Sequence, residues 1–177
     1  MKLLLVFLFS ITVFGSLNAQ SDKNVEDHQV QLGFPIPAIL YEKGIGNNTT
    51  LSVETLAGLD IINAEYGVYP IVRGQYRYYY NMKRRLEKKK NISGNSGNYL
   101  GGLLLYQGGN SLLGNLNKAS IFAVGPVYGM QRTYRGGFFY RLETGLAYFE
   151  DDAFIKGSGI ALILAARIGW VLGHKRK

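Results

Sequence analysis

The sequence contains no cysteine, and this absence removes several classes of protein and site. Disulfide frameworks and thiolate metal sites are excluded. A lipoprotein is excluded as well, because lipid attachment after a bacterial signal needs a cysteine. Histidine is nearly as scarce, since His28 and His174 are the two histidines and lie too far apart in the chain to suggest a ligand set. We therefore predict neither a metal site nor a cofactor.

A catalytic role for His28 is the one enzymatic option in the sequence. Small barrels that modify lipids combine histidine, serine and an acid. Asp27 and Glu26 stand beside His28, but the sequence places no serine next to them. We therefore predict that the protein is not an enzyme.

Long apolar runs are absent after the first twenty residues, so no later segment reaches the length of a membrane-spanning helix. Residues 1–20 carry Lys2, an apolar stretch over 3–14 and a small residue at Ala19, which is typical of a secretion signal. We predict that residues 1–19 are a cleaved signal peptide and that residues 20–177 form one domain of an exported protein.

Alternation of apolar and polar residues dominates the rest of the chain. In the segment 68–81 an aromatic row alternates with a row that carries Arg73, Gln75 and Arg77. The segments 138–149 and 159–172 repeat the pattern, with Arg141, Glu143 and Arg167 on their second rows. Strands that are apolar on one face and polar on the other, in an exported chain, predict an all-β fold: a single antiparallel up-and-down transmembrane β-barrel in the outer membrane.

Seven strands are recognisable, over residues 30–40, 49–60, 68–81, 99–107, 118–132, 138–149 and 159–172. Bacterial single-chain barrels have an even number of strands. We therefore expect about eight, with the missing strand either in the proline-bearing segment 30–40 or in the loop around 61–68.

Eight strands leave an interior wide enough only for side chains. The polar rows place a lumen charge cluster there, consisting of Glu54, Arg73, Arg77, Arg141, Glu143 and Arg167. Two interpretations are open, an anion-binding site and a set of ion pairs that stabilises the barrel, and the matched glutamates favour the ion pairs. The corresponding hypothesis is a plugged barrel that does not conduct.

A basic turn follows the aromatic strand and comprises Lys83, Arg84, Arg85, Lys88, Lys89 and Lys90. It accounts for much of the formal charge of +8, together with the tail 174–177. A solvated periplasmic turn is the favoured interpretation, with anionic lipid headgroups as the alternative ligand. Nucleic acid is not expected, because no aromatic residues interleave the cations. The row Tyr76, Tyr78 and Tyr80 fits an interfacial girdle better than a sugar-stacking platform.

Several short segments also carry a family likeness: Asn18-Ala19-Gln20, Tyr41-Glu42-Lys43, Tyr78-Tyr79-Tyr80-Asn81 with Lys83-Arg84-Arg85, Ser96-Gly97-Asn98-Tyr99-Leu100 and Gly129-Met130-Gln131-Arg132-Thr133-Tyr134. On these residues the chain resembles small uncharacterised outer-membrane β-barrel proteins of Bacteroidota. The resemblance implies a fold and a location, with outer-membrane lipid and the barrel-assembly machinery as partners, and no catalytic residues. One departure is the ending Gly173-His174-Lys175-Arg176-Lys177, where many outer-membrane proteins end on an aromatic residue that the assembly machinery reads.

The sequence supports two functions. The first is an integral outer-membrane barrel with a narrow, side-chain-filled lumen and a structural or binding role. The second is a soluble periplasmic barrel that binds a small apolar ligand in the manner of lipocalins. The two differ in which face of the sheet is apolar, and the arginines opposite the tyrosine row favour the first.

Overall fold

A computed structural model describes residues 23–152 and 157–172. The predicted signal peptide and the basic tail lie outside these residues. The described part of the chain is all-β apart from one short α-helix and a 3₁₀ turn. The elements are β1 (His28–Phe34), β2 (Ala38–Gly44), β3 (Thr49–Ile62), β4 (Glu65–Tyr78), α1 (Met82–Glu87), β5 (Asn98–Gln107), β6 (Leu113–Gly114), β7 (Ile121–Thr133), β8 (Phe138–Asp151) and β9 (Ser158–Leu172).

Eight of the nine strands form a closed antiparallel ring. The order is β1-β2-β3-β4-β5-β7-β8-β9, and pairing of β9 with β1 completes it. The two-residue β6 lies outside the ring and pairs only with Gly67 and Val68 of β4. The prediction of an all-β barrel of about eight strands is therefore confirmed.

The eighth strand comes from the proline-bearing segment. Of the two places expected for it, the segment 30–40 is confirmed, because a turn at Pro35-Ile36-Pro37 divides this segment into β1 and β2. Apolar residues stand at even positions on both sides of this turn, so the alternation gives no sign that the chain reverses there. Leu32 of β1 faces outward, whereas Leu40 of β2 faces inward and is buried.

The turn between β3 and β4 is also shorter than the predicted loop around 61–68. The turn is only Asn63-Ala64, with φ of 51° and 67°, and both flanking strands run up to it. Positive φ at both central residues gives a two-residue hairpin a twist that matches the strands.

The two ends of the ring differ. The basal end carries both described chain ends, the turn 45–48, the segment 79–97 and the turn 134–137. The distal end carries the turns 35–37 and 63–64 and the loop 108–120.

None of the helices in the described part of the chain is both long and apolar enough to cross a membrane.

A plug closes the basal end. Residues 91–97 fold across it and hydrogen-bond to the end of β7, where Gln131 donates from Nε2 to Gly94 O (2.6 Å) and from its backbone N–H to Gly97 O (2.8 Å). An apolar cluster of buried side chains joins the plug to the residues around it and consists of Val25, Tyr79, Met82, Ile92 and Tyr99. The lumen therefore ends in packed protein on this side.

The distal rim is uneven because β1 and β2 are short. Beyond Phe34 and Ala38, β9 continues over residues 158–167 and β3 over residues 57–62, and among the described residues each has a strand partner on one side only. The part of the chain that the structure describes therefore leaves a gap of about 10 Å, two strand spacings, in the wall between β3 and β9 near this rim. We call this gap the notch.

Candidate functional site

The interior of the basal half of the ring holds seven buried charged residues. Six are those of the predicted lumen charge cluster, Glu54, Arg73, Arg77, Arg141, Glu143 and Arg167, and the seventh is Glu42. All seven are at most 7% exposed. The strand period of two places them there, because every inward position of a strand lies two residues from the next.

Cross-strand register brings these charges into contact. Glu54 of β3 lies opposite Arg73 of β4, and Arg73 donates from Nη1 to Glu54 Oε2 at 2.9 Å. The other nitrogen of the same guanidinium, Nη2, donates to Glu143 Oε2 at 2.7 Å. Arg73 therefore links the carboxylates of β3 and β8 across the lumen, and such charge-assisted bonds are the strong ones.

Glu143 and Glu54 are each shared by several donors. Tyr99 donates to Glu143 Oε1 at 2.5 Å, and Gln75 donates from Nε2 to the same oxygen at 3.0 Å. Glu54 Oε1 accepts from Arg141 Nη2, and Arg167 Nε lies 3.5 Å from it. Carboxylates with this many donors are fully compensated for their burial.

Glu42 forms a second centre nearer the plug, which the sequence analysis missed. Its Oε1 accepts from Thr50 Oγ1 (2.6 Å) and from the Tyr79 hydroxyl (2.9 Å), its Oε2 accepts from Gln29 Nε2, and Arg77 Nη1 lies 3.5 Å from Oε1. The signal that could have found it is its place between outward Tyr41 and Lys43, once β2 is recognised as a strand of its own.

Arg77 is held by a ring as well as by charge. Its guanidinium carbon lies 4.9 Å from the centroid of the Tyr99 ring, and its Nε donates to Gln75 Oε1 at 2.7 Å. The contact with Glu143 is longer, at 3.7 Å from Nη2 to Oε1. The basal lumen is thus filled by interlocked side chains and contains no wide aqueous path.

Arg167 is the least partnered of the four arginines. Within the described residues its single ion pair is the one to Glu54, and its Nε makes no hydrogen bond although it is buried. The seven buried charged residues are four arginines and three glutamates. This cluster therefore has one excess positive charge, and Arg167 is its most exposed arginine and the one with the fewest partners.

The distal lumen is apolar directly above the charged cluster, whereas polar side chains return at the rim, where Lys118 pairs with Asp60 and Gln107 Nε2 is buried. The far wall is lined by small or aliphatic side chains that are nearly fully buried, namely Leu103, Ala123, Val127 and Ala147. Inward side chains next to the notch are only half-buried or exposed, namely Leu56, Ile71, Ala161, Ile163 and Ala165. Accessible space in the lumen therefore lies on the notch side, above the charged cluster.

The basic turn lies at the basal end, outside the lumen. Lys83, Arg84, Lys88, Lys89 and Lys90 are exposed, whereas Arg85 is half-buried and donates to Asn91 O from Nε (3.2 Å) and Nη2 (2.7 Å). Partial burial and the nearby Arg132 guanidinium lower the pKa of Arg85. A cavity of about 290 Å³ is lined by cations of this turn and by Arg132, Tyr80, Asn81 and Asn98; the cations are Arg84, Arg85, Lys88 and Lys90.

His28 lies on the outer side of β1 and not in the lumen. Its Nδ1 is 2.6 Å from the Tyr41 hydroxyl, and both side chains are exposed. The adjacent Glu26 binds the plug, because its Oε1 accepts from Gly94 N–H at 3.0 Å. Among the described residues, no group of three or more His, Asp or Glu side chains could hold a metal ion.

The aromatic row of β4 faces outward. Tyr76, Tyr78 and Tyr80 are about half exposed, and the Tyr80 hydroxyl lies 3.3 Å from that of Tyr128 on β7. Asn98 Nδ2 donates to both hydroxyls, at 3.2 Å and 2.9 Å.

Comparison of the chain with known proteins finds no matching family model, no matching curated protein and no matching solved structure.

Proposed function

We propose that this chain is an integral outer-membrane β-barrel protein with a narrow, side-chain-filled lumen and a structural or binding role. The observation that carries the proposal is the inverted polarity of the ring. Arginines and glutamates occupy the interior, while the outer face carries exposed aliphatic rows such as Leu162, Leu164 and Ile168 on β9. Soluble proteins rarely expose contiguous apolar surface on this scale, and lipid is the solvent that suits it.

The vertical order of the outer side chains supports the same proposal. On β8, Tyr140 and Tyr148 bracket Leu142 and Leu146 on the outer face; Tyr140 is half-buried and the other three are exposed. The eight-residue separation of the two tyrosines corresponds to about 27 Å along the strand and about 20 Å along the barrel axis at a tilt of ~40°. Two aromatic girdles on either side of an apolar band are the arrangement that a bilayer favours.

The soluble, lipocalin-like alternative draws on a different observation, the apolar lining of the distal lumen. The charged cluster inside the barrel and the apolar outer face count against this alternative, because a soluble carrier has its polar face outside. Fractionation separates the two functions. A membrane barrel sediments with the outer membrane, resists a carbonate wash and migrates faster on a denaturing gel before boiling than after. Recovery in the aqueous periplasmic fraction without detergent would reject the membrane proposal.

A matched pair of substitutions gives a sharper test. Leu104 faces outward in the middle of β5, whereas Leu112 lies outside the ring in the distal loop, and they are 53% and 65% exposed. In a bilayer, Leu104→Arg should cost about 2–4 kcal/mol of folding free energy, as arginine does at the midplane, while Leu112→Arg should be nearly neutral. The measurement is urea-dependent folding into lipid vesicles. Equal tolerance of both substitutions would count against a lipid-facing surface.

A further inference from the structure

We infer that the distal lumen is a binding site for one long-chain carboxylate, entered sideways through the notch, with the carboxylate held by Arg167 and the acyl chain lying along the apolar wall above it. The inference rests on the proposed membrane location for its entry route. It adds a ligand class and a site that the proposed function does not specify.

The first step is the position of Arg167. On β9, Ile168 is the last residue paired with β1, so Arg167 is the first inward residue at the base of the notch. A Cβ at Gly33, on the inner face of β1, would lie 3.5 Å from Arg167 Cδ, so this side chain runs beneath the end of β1. Its side chain is only 9% exposed.

The second step is charge. The buried interior has four arginines and three glutamates, and Arg167 makes only one ion pair among the described residues, at 3.5 Å. A buried cation without full compensation is costly, and an added monoanion removes the excess. A carboxylate suits a guanidinium in particular, because the two planar groups can form paired hydrogen bonds.

The third step is the wall above Arg167. The next inward residues on β9 are Ala165, Ile163 and Ala161, and none of them is polar. Leu56 and Ile71 lie on the inner faces of β3 and β4, and all five side chains are at least partly exposed. An alkyl chain that covers this surface gains about 25 cal/mol for each Å² of apolar area removed from water.

The fourth step is the way in. The edges of β3 over 57–62 and of β9 over 158–167 face the notch without a strand partner among the described residues. At membrane depth such edges are tolerated where they line a water-containing cavity, since water can bond the free backbone groups. The outer side chains beside the edges, Leu59, Ile61 and Ile160, are strongly exposed and apolar. An amphiphile in the surrounding lipid can therefore move its carboxylate through the notch to the hydrated Arg167, while its acyl chain stays in contact with apolar side chains.

Native mass spectrometry of the detergent-folded full-length barrel tests the inference, with palmitate, methyl palmitate and acetate as probes. We expect one palmitate per barrel, at least tenfold weaker retention of methyl palmitate, which lacks the charge, and no retention of acetate, which lacks the chain. Equal retention of palmitate and methyl palmitate would overturn the role of Arg167. Preferential retention of a two-chain phospholipid over palmitate would overturn the ligand class.

Variants locate the site. Arg167→Gln leaves three arginines against three glutamates, so it should fold, and it should weaken palmitate binding at least tenfold. Arg135→Gln, at the exposed basal turn, removes the same charge elsewhere and should change nothing. Ala165→Trp fills the cavity and should abolish binding, whereas Ala166→Trp makes the same change on the outer face of the same strand and should not.

Folding of each variant is checked by its gel shift, and Ala161→Phe replaces Ala165→Trp if the larger ring prevents folding. Loss of binding in Ala166→Trp but not in either filled-cavity variant would place the chain on the outside and overturn the inference. A membrane-embedded barrel that binds no palmitate would reject this site alone. A water-soluble barrel that binds it would reject the membrane proposal and keep the site.

Discussion

Arg141 of β8 and Arg167 of β9 lie directly opposite each other in the sheet, and the carboxylate of Glu54 from β3 lies against both. Two like charges at paired positions repel each other, so this contact depends on the shared anion. Glu54 also accepts from Arg73, so three of the four buried arginines meet at one side chain.

Glu54→Gln is therefore expected to be the most damaging polar substitution in the lumen. It preserves the shape but leaves three guanidinium groups around a neutral amide, and breaking a buried pair costs about 3–5 kcal/mol. The measurement is urea-dependent unfolding of the barrel in vesicles. Ser52→Ala, on the same inner face of β3, is the control and should cost less than about 1 kcal/mol. Similar costs for the two variants would show that the ion pairs contribute little.

A second prediction concerns the close approach of Gly129 to Tyr99. A Cβ at Gly129 would lie 2.1 Å from Tyr99 Cζ, and Tyr99 is fully buried with its hydroxyl on Glu143. Gly129→Ala must displace this ring and should destabilise the barrel by about 1–3 kcal/mol, the usual cost of overpacking. Gly74→Ala, where a Cβ meets nothing within 4 Å, is the matched control. The same unfolding assay compares them, and equal stability would mean that the Tyr99 ring moves freely.

A third prediction concerns conduction. The plug over 91–97 and the charged network beneath it both block the lumen, so planar-bilayer recordings should show no steady open-channel current. Exchange of residues 91–97 for glycine and serine at equal length should leave the current absent, because Arg73, Glu54 and Glu143 still join opposite walls. A large, stable current from the unaltered protein would contradict the plugged barrel.

The basic turn gives a fourth prediction. Arg85 fastens α1 to the plug through Asn91 O, whereas Lys89 of the same turn is exposed. Arg85→Gln should lower stability by about 0.5–1 kcal/mol, a value limited by its partial exposure, and Lys89→Gln should have no measurable effect. Thermal loss of the gel shift reports the difference. An equal effect of both substitutions would indicate a role for net charge rather than for this contact.

The interior could be predicted where alternation is unambiguous. A strand has a period of two, so one polar residue assigned to the inside assigns all the others of that strand. This reasoning places Arg73 and Arg77 on β4 and Arg141 and Glu143 on β8, and the structure brings these side chains together.

The reasoning fails where the chain reverses without changing its pattern. At Pro35-Ile36-Pro37 the apolar residues keep to even positions, so the alternation does not place the turn between β1 and β2 and does not assign Glu42 to the interior. Its donors come from β1, β3 and the end of β4, namely Gln29, Thr50 and Tyr79. The sequence of one segment does not show which strand will be its neighbour. Nor does it show how far the two strands extend past each other, because that depends on their register. The notch is invisible in the sequence for the same reason.

Pairing of Val30 with Leu172 joins the first ring strand to the last. The ring therefore stays open until β9 is available to pair with β1, and any species that lacks β9 has two strand edges with unpaired backbone groups. Loop closure between such distant segments is slow, and exposed margins invite mispairing. A chaperone that covers these two edges would have to release them before β1 can pair with β9.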